Sequence, residues 1–224
     1  MRSASLLVLL SAVVAAPAAA QTIAVQMVVE EEFLAPEGGG ERVVEADPVP
    51  VPRGIAAYGP FRVLDRGHVA LVDTTDARSP GAFASMLHDY PAIATLELIE
   101  CPGTDDDRAN LQLGRMIHAH GLSTHVPSGG SVRSGAVELF IAGVHHRAEL
   151  GAEFAVHAWA DENGREPADY RPDAPENRAY LDYYREMGMS AAQAQAFYAM
   201  TNSVPNAQAK WLGPAELGKW VALN

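Results

Sequence analysis

The sequence predicts an α/β fold with mainly parallel strands. Three observations predict it. Short apolar strands alternate with amphipathic helices from residue 61 to residue 158, the order in which parallel strands are joined by crossover helices. The chain has 224 residues, a length that suits one domain with extensions. Its composition, 48% hydrophobic with 20% charged and 7% aromatic residues, is that of a globular protein rather than a disordered or disulfide-rich one.

The N-terminus is set apart from that domain. Met1-Arg2 gives a positive start, Leu6 to Val14 is apolar apart from Ser11, and Ala18-Ala19-Ala20 forms a small-residue cleavage site before Gln21. This is the pattern of a secretory signal peptide over residues 1–20, too short in its apolar stretch for a membrane span. The expected compartment is therefore outside the cytoplasm, periplasmic or secreted. Residues 21–59 read as an extended lead-in, with a strand-like Thr22 to Val29, three glutamates at 30–32, three glycines at 38–40, and Pro48, Pro50 and Pro52. Residues 60–224 form the domain.

Each element of the domain has its own signal. Phe61–Leu64 and His68–Val72 flank Asp65-Arg66-Gly67, a hairpin turn. Ser79-Pro80 opens a helix to about His88, with Phe83, Met86 and Leu87 on one face. Ile93–Ile99 alternates as a strand. Asp105, Asp106 and Asp107 supply the negative charge favoured at a helix start, and that helix carries Leu113, Met116 and Ile117 before stopping at Gly121. Leu122–Val126 is a short strand. A Gly-rich loop at 128–131 leads into an apolar helix from Ser134 to about Ala142, and Glu153–Ala158 is the next strand. A polar, Pro-rich loop at 161–175 precedes two helices, 176–187 and 191–200, the second capped by Ser190. The chain closes on 211–221, with a short helix after Pro214.

Charge narrows the partners. The 28 acidic residues outnumber the 16 basic ones, for a net charge of −12 that becomes −13 once Arg2 leaves with the signal. Nucleic acid and anionic membrane surfaces are disfavoured. Lys210 and Lys219 are the only lysines, which argues against a Ser–Lys mechanism. Cys101 is the single cysteine, so no internal disulfide forms, and a small buried residue is expected there. His118 and His120 point to different helix faces, His145 and His146 are adjacent near a turn, and no spacing matches a zinc signature. No metal and no cofactor is expected.

Two strand-to-helix loops could carry chemistry. Glu100 to Asp105 brings backbone amides to a helix N-terminus, a place for developing negative charge. Ser128 to Ala136 delivers a serine, Ser134, to a helix start, where it is either a cap or a nucleophile. His157 ends the next strand and is the candidate base. A Gly-x-Ser-x-Gly elbow is absent, since Ser134 has Val132 and Ala136 two positions to either side. Tyr180, Tyr183 and Tyr184, with Tyr170, Trp159, Phe197 and Tyr198, concentrate aromatics after His157, where core packing or a subunit seam is the plainer role.

The order of these parts over residues 93–158 resembles the ClpP/crotonase superfamily, and its Clp-protease-like serine hydrolases in particular. Leu96 to Gly103 is similar to the family's strand and Pro-Gly turn, Asp107 to His120 to its helix, Arg133 to Gly143 to its nucleophile helix, and Phe154 to His157 to its histidine strand. Trp211 to Leu217 resembles its closing segment, so the likeness spans about residues 60–222. The resemblance implies a repeated β-β-α spiral with added C-terminal helices. It implies Ser134 as nucleophile, His157 as base, and the amides of Gly135 and of Gly103 or Thr104 as oxyanion hole. Thr104 stands where the family has a second glycine. The family's third residue, an aspartate before the closing segment, is missing. Asn202 or Asn206 is the candidate in its place, with Asp161, Asp169, Asp173 and Asp182 as substitutes from the insertion. The implied function is an exported hydrolase of peptide or small acyl substrates, with a homo-oligomer possible. The alternative is a non-catalytic binding or assembly module, and a weaker third is an acyl-thioester enzyme.

Overall fold

The computed structural model describes residues 47–224, so the expected signal peptide at 1–20 and most of the expected lead-in lie outside the described residues. Ten strands and six α-helices follow in the order β1 (Ala56–Tyr58), β2 (Phe61–Val63), β3 (His68–Leu71), α1 (Ser79–Asp89), β4 (Thr95–Leu98), β5 (Glu100–Cys101), α2 (Asp107–Ala119), β6 (Ser123–Val126), β7 (Ser131–Arg133), α3 (Ala136–Ile141), β8 (His146–Ala148), β9 (Glu153–Val156), α4 (Pro175–Glu186), α5 (Ala191–Thr201), β10 (Lys210–Leu212) and α6 (Pro214–Leu217). They build one six-stranded sheet, in the order β1-β2-β3-β4-β6-β8, and one four-stranded sheet, β10-β9-β7-β5.

The strand order is a spiral. The pair β4–β5 followed by α2, and the pair β6–β7 followed by α3, each place one strand in the large sheet and the next in the small one. The pair β8–β9 does the same before the chain turns to α4. Five strand pairings are parallel, and the three antiparallel ones, β1–β2, β2–β3 and β9–β10, lie at the sheet margins. The expected α/β fold with mainly parallel strands, a β-β-α spiral and added C-terminal helices is present.

Local chemistry explains the elements. Asp65 Oδ1 accepts the amides of Gly67 and His68 and so closes the β2–β3 turn. Asp106, in extended conformation, caps α2 by accepting from the Ala109 amide at 2.9 Å, and Gly121 ends the helix region at φ +68°. Ser190 and Gln193 form a capping box on α5. The core joins sheet and helix side chains: Phe61 packs on Phe83 at 5.5 Å and Phe140 on Phe154 at 5.0 Å between ring centroids, with Leu96, Leu98, Leu113 and Ile117 buried among them. Cys101 lies in this core, its thiol donating to the Leu71 carbonyl at 3.3 Å.

Five strands escape the sequence reading. β1 precedes the hairpin, β8 and β10 lie on sheet margins, and β5 and β7 occupy residues read as loop. Each has only two or three residues, too few for alternation to show, and each exists through pairing with a partner strand. The helix expected from Ser134 begins at Ala136 instead, because β7 runs to Arg133 and the next residues form a tight turn.

Candidate active site

That turn shapes Ser134. β7 lies between β5 and β9 in the small sheet, and the Ser134 amide donates to the Ala155 carbonyl at 2.8 Å, continuing the ladder one residue past the strand. The chain then reverses into α3 with Ser134 at φ +50°, and no other non-glycine residue among the described ones has positive φ. Such a conformation costs about 1–3 kcal/mol for a residue with a Cβ and persists only where the surroundings impose it. Ser134 is therefore not a helix cap. It is a strained serine on a strand–turn–helix junction, which exposes its hydroxyl.

The loop after β5 meets this turn at contact distance. Gly103 adopts φ +139°, and a Cβ there would stand 3.0 Å from the Ser134 Cβ. A Cβ on Gly135 would meet the Thr104 methyl at 2.6 Å. Two buried residues tie the loop and turn together. The Thr75 amide and hydroxyl both donate to the Gly103 carbonyl, at 3.0 and 3.3 Å, and the Thr75 hydroxyl also lies 2.9 Å from Asn110 Oδ1. Asn110 Nδ2 donates to the Gly135 carbonyl at 2.6 Å. Holding the Gly103 carbonyl towards Thr75 turns the Thr104 N–H to the opposite side of that trans peptide. Among the described residues, neither the Thr104 nor the Gly135 N–H has a hydrogen-bond partner.

Ser134, His157, Gly103, Thr104, Gly135, Asn202 and Asn206 all line one cavity of about 230 Å³. The sequence-derived site residues, taken from five separate segments, thus share one space. His157 sits one residue past β9, which pairs with β7, so the two candidate residues follow neighbouring strands. The imidazole Nδ1 lies 2.9 Å from the Ala158 carbonyl and 3.2 Å from Asn206 Nδ2, and Asn206 Nδ2 also donates to the Ala158 carbonyl at 2.9 Å. One assignment satisfies two of the three: Nδ1 carries the proton and donates to Ala158, the same carbonyl accepts from Asn206, and Nε2 keeps its lone pair, which leaves the Asn206 amide beside Nδ1 as a contact rather than a hydrogen bond. No hydrogen bond joins Ser134 Oγ to His157.

The two asparagines separate in role. Asn206 reaches the imidazole, and its own amide is held by Glu166 at 2.8 Å. Asn202 does not: its Oδ1 accepts the Trp159 amide at 3.3 Å and its Nδ2 donates to the Tyr198 carbonyl, so it fixes the segment after His157. The substitute aspartates are also committed elsewhere. Asp161 binds Arg165 and Tyr170, Asp169 closes the turn at Glu166, Asp173 pairs with Arg171, and Asp182 faces Arg185.

Sequence reasoning missed the acids that do line the cavity. Asp107, in the first turn of α2, reads from the sequence as helix-start charge, yet its carboxyl faces the cavity beside the Tyr180 hydroxyl. Burial raises its pKa, while the nearby His157 works in the opposite direction. Glu138, on α3, is 6% exposed and lines the cavity. Burial pushes its carboxyl up to about 7, and the Tyr184 hydroxyl donates to its Oε1 at 2.7 Å. A glutamate inside an apolar helix four residues after the serine was the available signal. Trp159, Tyr180 and Tyr184 also line the cavity, so the aromatic cluster is wall as well as core.

Cys101, His118 and His125 are held in structural contacts. Burial in the core pushes the Cys101 thiol far up, which leaves it inert. His118 hydrogen-bonds the Ala142 carbonyl, and His125 lies between Glu97 and Glu149. No helix among the described residues is long and apolar enough to cross a membrane.

No family model and no curated protein matches the sequence. Solved structures do. The chain is similar to a membrane-bound stomatin-specific protease in complex with a substrate peptide, at 13% identity over 69% of this chain and 71% of that one, with a TM-score of 0.48. It is similar to ClpP1 from Listeria monocytogenes at 15% identity, over 70% and 88% of the two chains, with a TM-score of 0.46. It is also similar to a protein named for enoyl-CoA hydratase activity from Streptomyces avermitilis, at 14% identity over 75% and 67%, with a TM-score of 0.46.

Proposed function

We propose that this chain is an exported, Clp-protease-like serine hydrolase that cleaves peptide or small acyl substrates at Ser134. The observation that carries the reading is Ser134 itself. A strained serine shares a cavity with a histidine whose Nδ1 is already engaged and with two unpartnered backbone amides. The export signal at residues 1–20 supports release from the cytoplasm, and the acidic charge accords with a partner that is neither nucleic acid nor membrane.

The chemistry follows from these groups. Ser134 Oγ attacks the substrate carbonyl while its proton passes to His157 Nε2. The carbonyl oxygen becomes an oxyanion and accepts the N–H groups of Gly135 and of Thr104 or Gly103. His157 then returns the proton to the leaving group, giving an acyl-serine, and water repeats the sequence to release the acid. The Ala158 carbonyl holds the imidazole in the tautomer this requires, and Asn206 packs at the ring edge and binds the same carbonyl. Asp107 stabilises the imidazolium electrostatically from across the cavity. In the free enzyme the serine and histidine are not hydrogen-bonded, and substrate binding draws them together.

That unmade bond also favours a second reading, a non-catalytic binding or assembly module. Labelling with a fluorophosphonate separates the two. The hydrolase is modified in the wild type and not in Ser134→Ala, with labelling slowed at least tenfold in His157→Ala. A wild type that resists the reagent, or labelling that survives Ser134→Ala, overturns the assignment.

A further inference from the structure

The cavity has a wall of which the reaction above uses only Asp107. Glu138 projects into it roughly one helical turn beyond Ser134, and Asp107 faces it from α2. Three acids (Asp105, Asp107 and Glu138) and a single cation, Arg133, line the space. The Arg133 guanidinium is already paired with Glu100 and donates to the Ser131 hydroxyl at 2.7 Å. Asp107 and Glu138 accept from tyrosine hydroxyls, which ease but do not neutralise their charge.

Asp107 has His157 nearby, but Glu138 is buried beside no basic group, and burial disfavours its charged form. Apolar residues of the same size would pack there at lower free-energy cost. The surrounding rings add an independent preference. Trp159 and Tyr180 are stacked at 6.2 Å with an interplanar angle of 7°, and Tyr184 completes the wall. Aromatic faces and carboxylates have one ligand class in common, the organic cation.

We infer that Asp107, Glu138, Tyr180, Tyr184 and Trp159 form a subsite for a cationic group, an alkylammonium or guanidinium carried by the substrate next to its scissile carbonyl. That the cation belongs to a substrate rests on the hydrolase reading; that the wall binds cations does not. A side chain of lysine or arginine length spans the step from Ser134 to Glu138, on the order of one 5.4 Å helical pitch. A lysine or arginine residue on the acyl side of the bond is the substrate this geometry selects.

The test uses the full mature chain and small probes. Titration calorimetry with benzamidine and n-butylammonium is expected to give saturable binding. The neutral counterparts benzamide and 1-butanol should bind at least tenfold more weakly. Glu138→Gln, which keeps size and the contact with Tyr184, should weaken cation binding at least tenfold. The wild-type comparison stands even where that variant folds poorly. Equal binding of neutral and cationic probes, no binding of either, or full cation binding by a folded Glu138→Gln overturns the subsite. Fluorophosphonate labelling is read in parallel. Cations that bind through Glu138 while Ser134 stays unlabelled would sink the hydrolase reading and leave the subsite. Labelling of Ser134 with no cation binding or protection would do the reverse.

Discussion

Gly103 faces Ser134 so closely that a Cβ on the glycine would stand 3.0 Å from the serine Cβ and 3.4 Å from its Oγ. The residue is also at φ +139°, a backbone region that side chains rarely enter. Gly103→Ala is therefore expected to push the loop away from the serine. Its thermal stability should fall by about 1–3 kcal/mol, and fluorophosphonate labelling should slow at least tenfold. A melting curve and a labelling time course check the two effects separately.

Asn110 joins the two halves of the candidate oxyanion hole. It is buried, with its amide nitrogen on the Gly135 carbonyl and its oxygen beside the Thr75 hydroxyl. Asn110→Ala leaves the Gly135 carbonyl without this donor, at a cost of about 1–3 kcal/mol, while the Thr75 hydroxyl keeps the Gly103 carbonyl. Denaturant unfolding should show that loss. The labelling rate of the protein that remains folded should also drop, because the Gly135 peptide is no longer held.

Asn206 lies against the candidate base, His157, rather than against the candidate nucleophile. Asn206→Ala removes its amide from the Ala158 carbonyl and from the edge of the imidazole. Hydrolysis is expected to slow by about tenfold in kcat with KM nearly unchanged, part of the factor that a positioned general base supplies. An equal loss in Asn202→Ala, which reaches only the backbone around Trp159 and Tyr198, would contradict this division.

Glu138 makes stability depend on pH in a definite direction. Its folded pKa of about 7 lies above the ordinary 4.5, because burial disfavours the charged form. The neutral carboxyl's contribution is fully present below about pH 4.5 and is lost as pH rises through about 7. Over that window the native state holds the extra proton and unfolding becomes easier, by up to about 3 kcal/mol. Glu138→Gln should flatten this slope and be the more stable protein at pH 8. Urea midpoints of both proteins at pH 4, 6 and 8 measure it.

The sequence exposed those features that repeat or punctuate. Helices α1, α2, α4 and α5 were legible from apolar spacing and from Ser79-Pro80, Asp106 and Ser190, and the hairpin from Asp65 and Gly67. Ser134, His157 and the Gly103 turn were legible as an order of parts. The short strands were not, because three residues carry no periodicity and their partners lie distant in the chain. Nor was the conformation of Ser134: it follows from β7 pairing on both sides, whereas the local pattern suggested a helix cap. The acids of the cavity were hidden for a related reason. Asp107 satisfies a helix start, and Glu138 occupies a helix whose other faces are apolar. Only the docking of α4 reveals what they confront.

Docking of α4 also sets what a shortened chain could do. The Tyr183 hydroxyl donates to the Glu138 carbonyl at 2.6 Å, while a Cβ on Gly114 would overlap that hydroxyl, so α2, α3 and α4 close on one another without spare room. A protein cut after Ala158 would retain the strained serine, both free amides and the imidazole. It would lack Asn206, Tyr180, Tyr184 and Trp159. The C-terminal third therefore supplies one wall of the cavity and the contact at the edge of the His157 ring, while the serine, its turn and the two amides belong to the part of the chain before it.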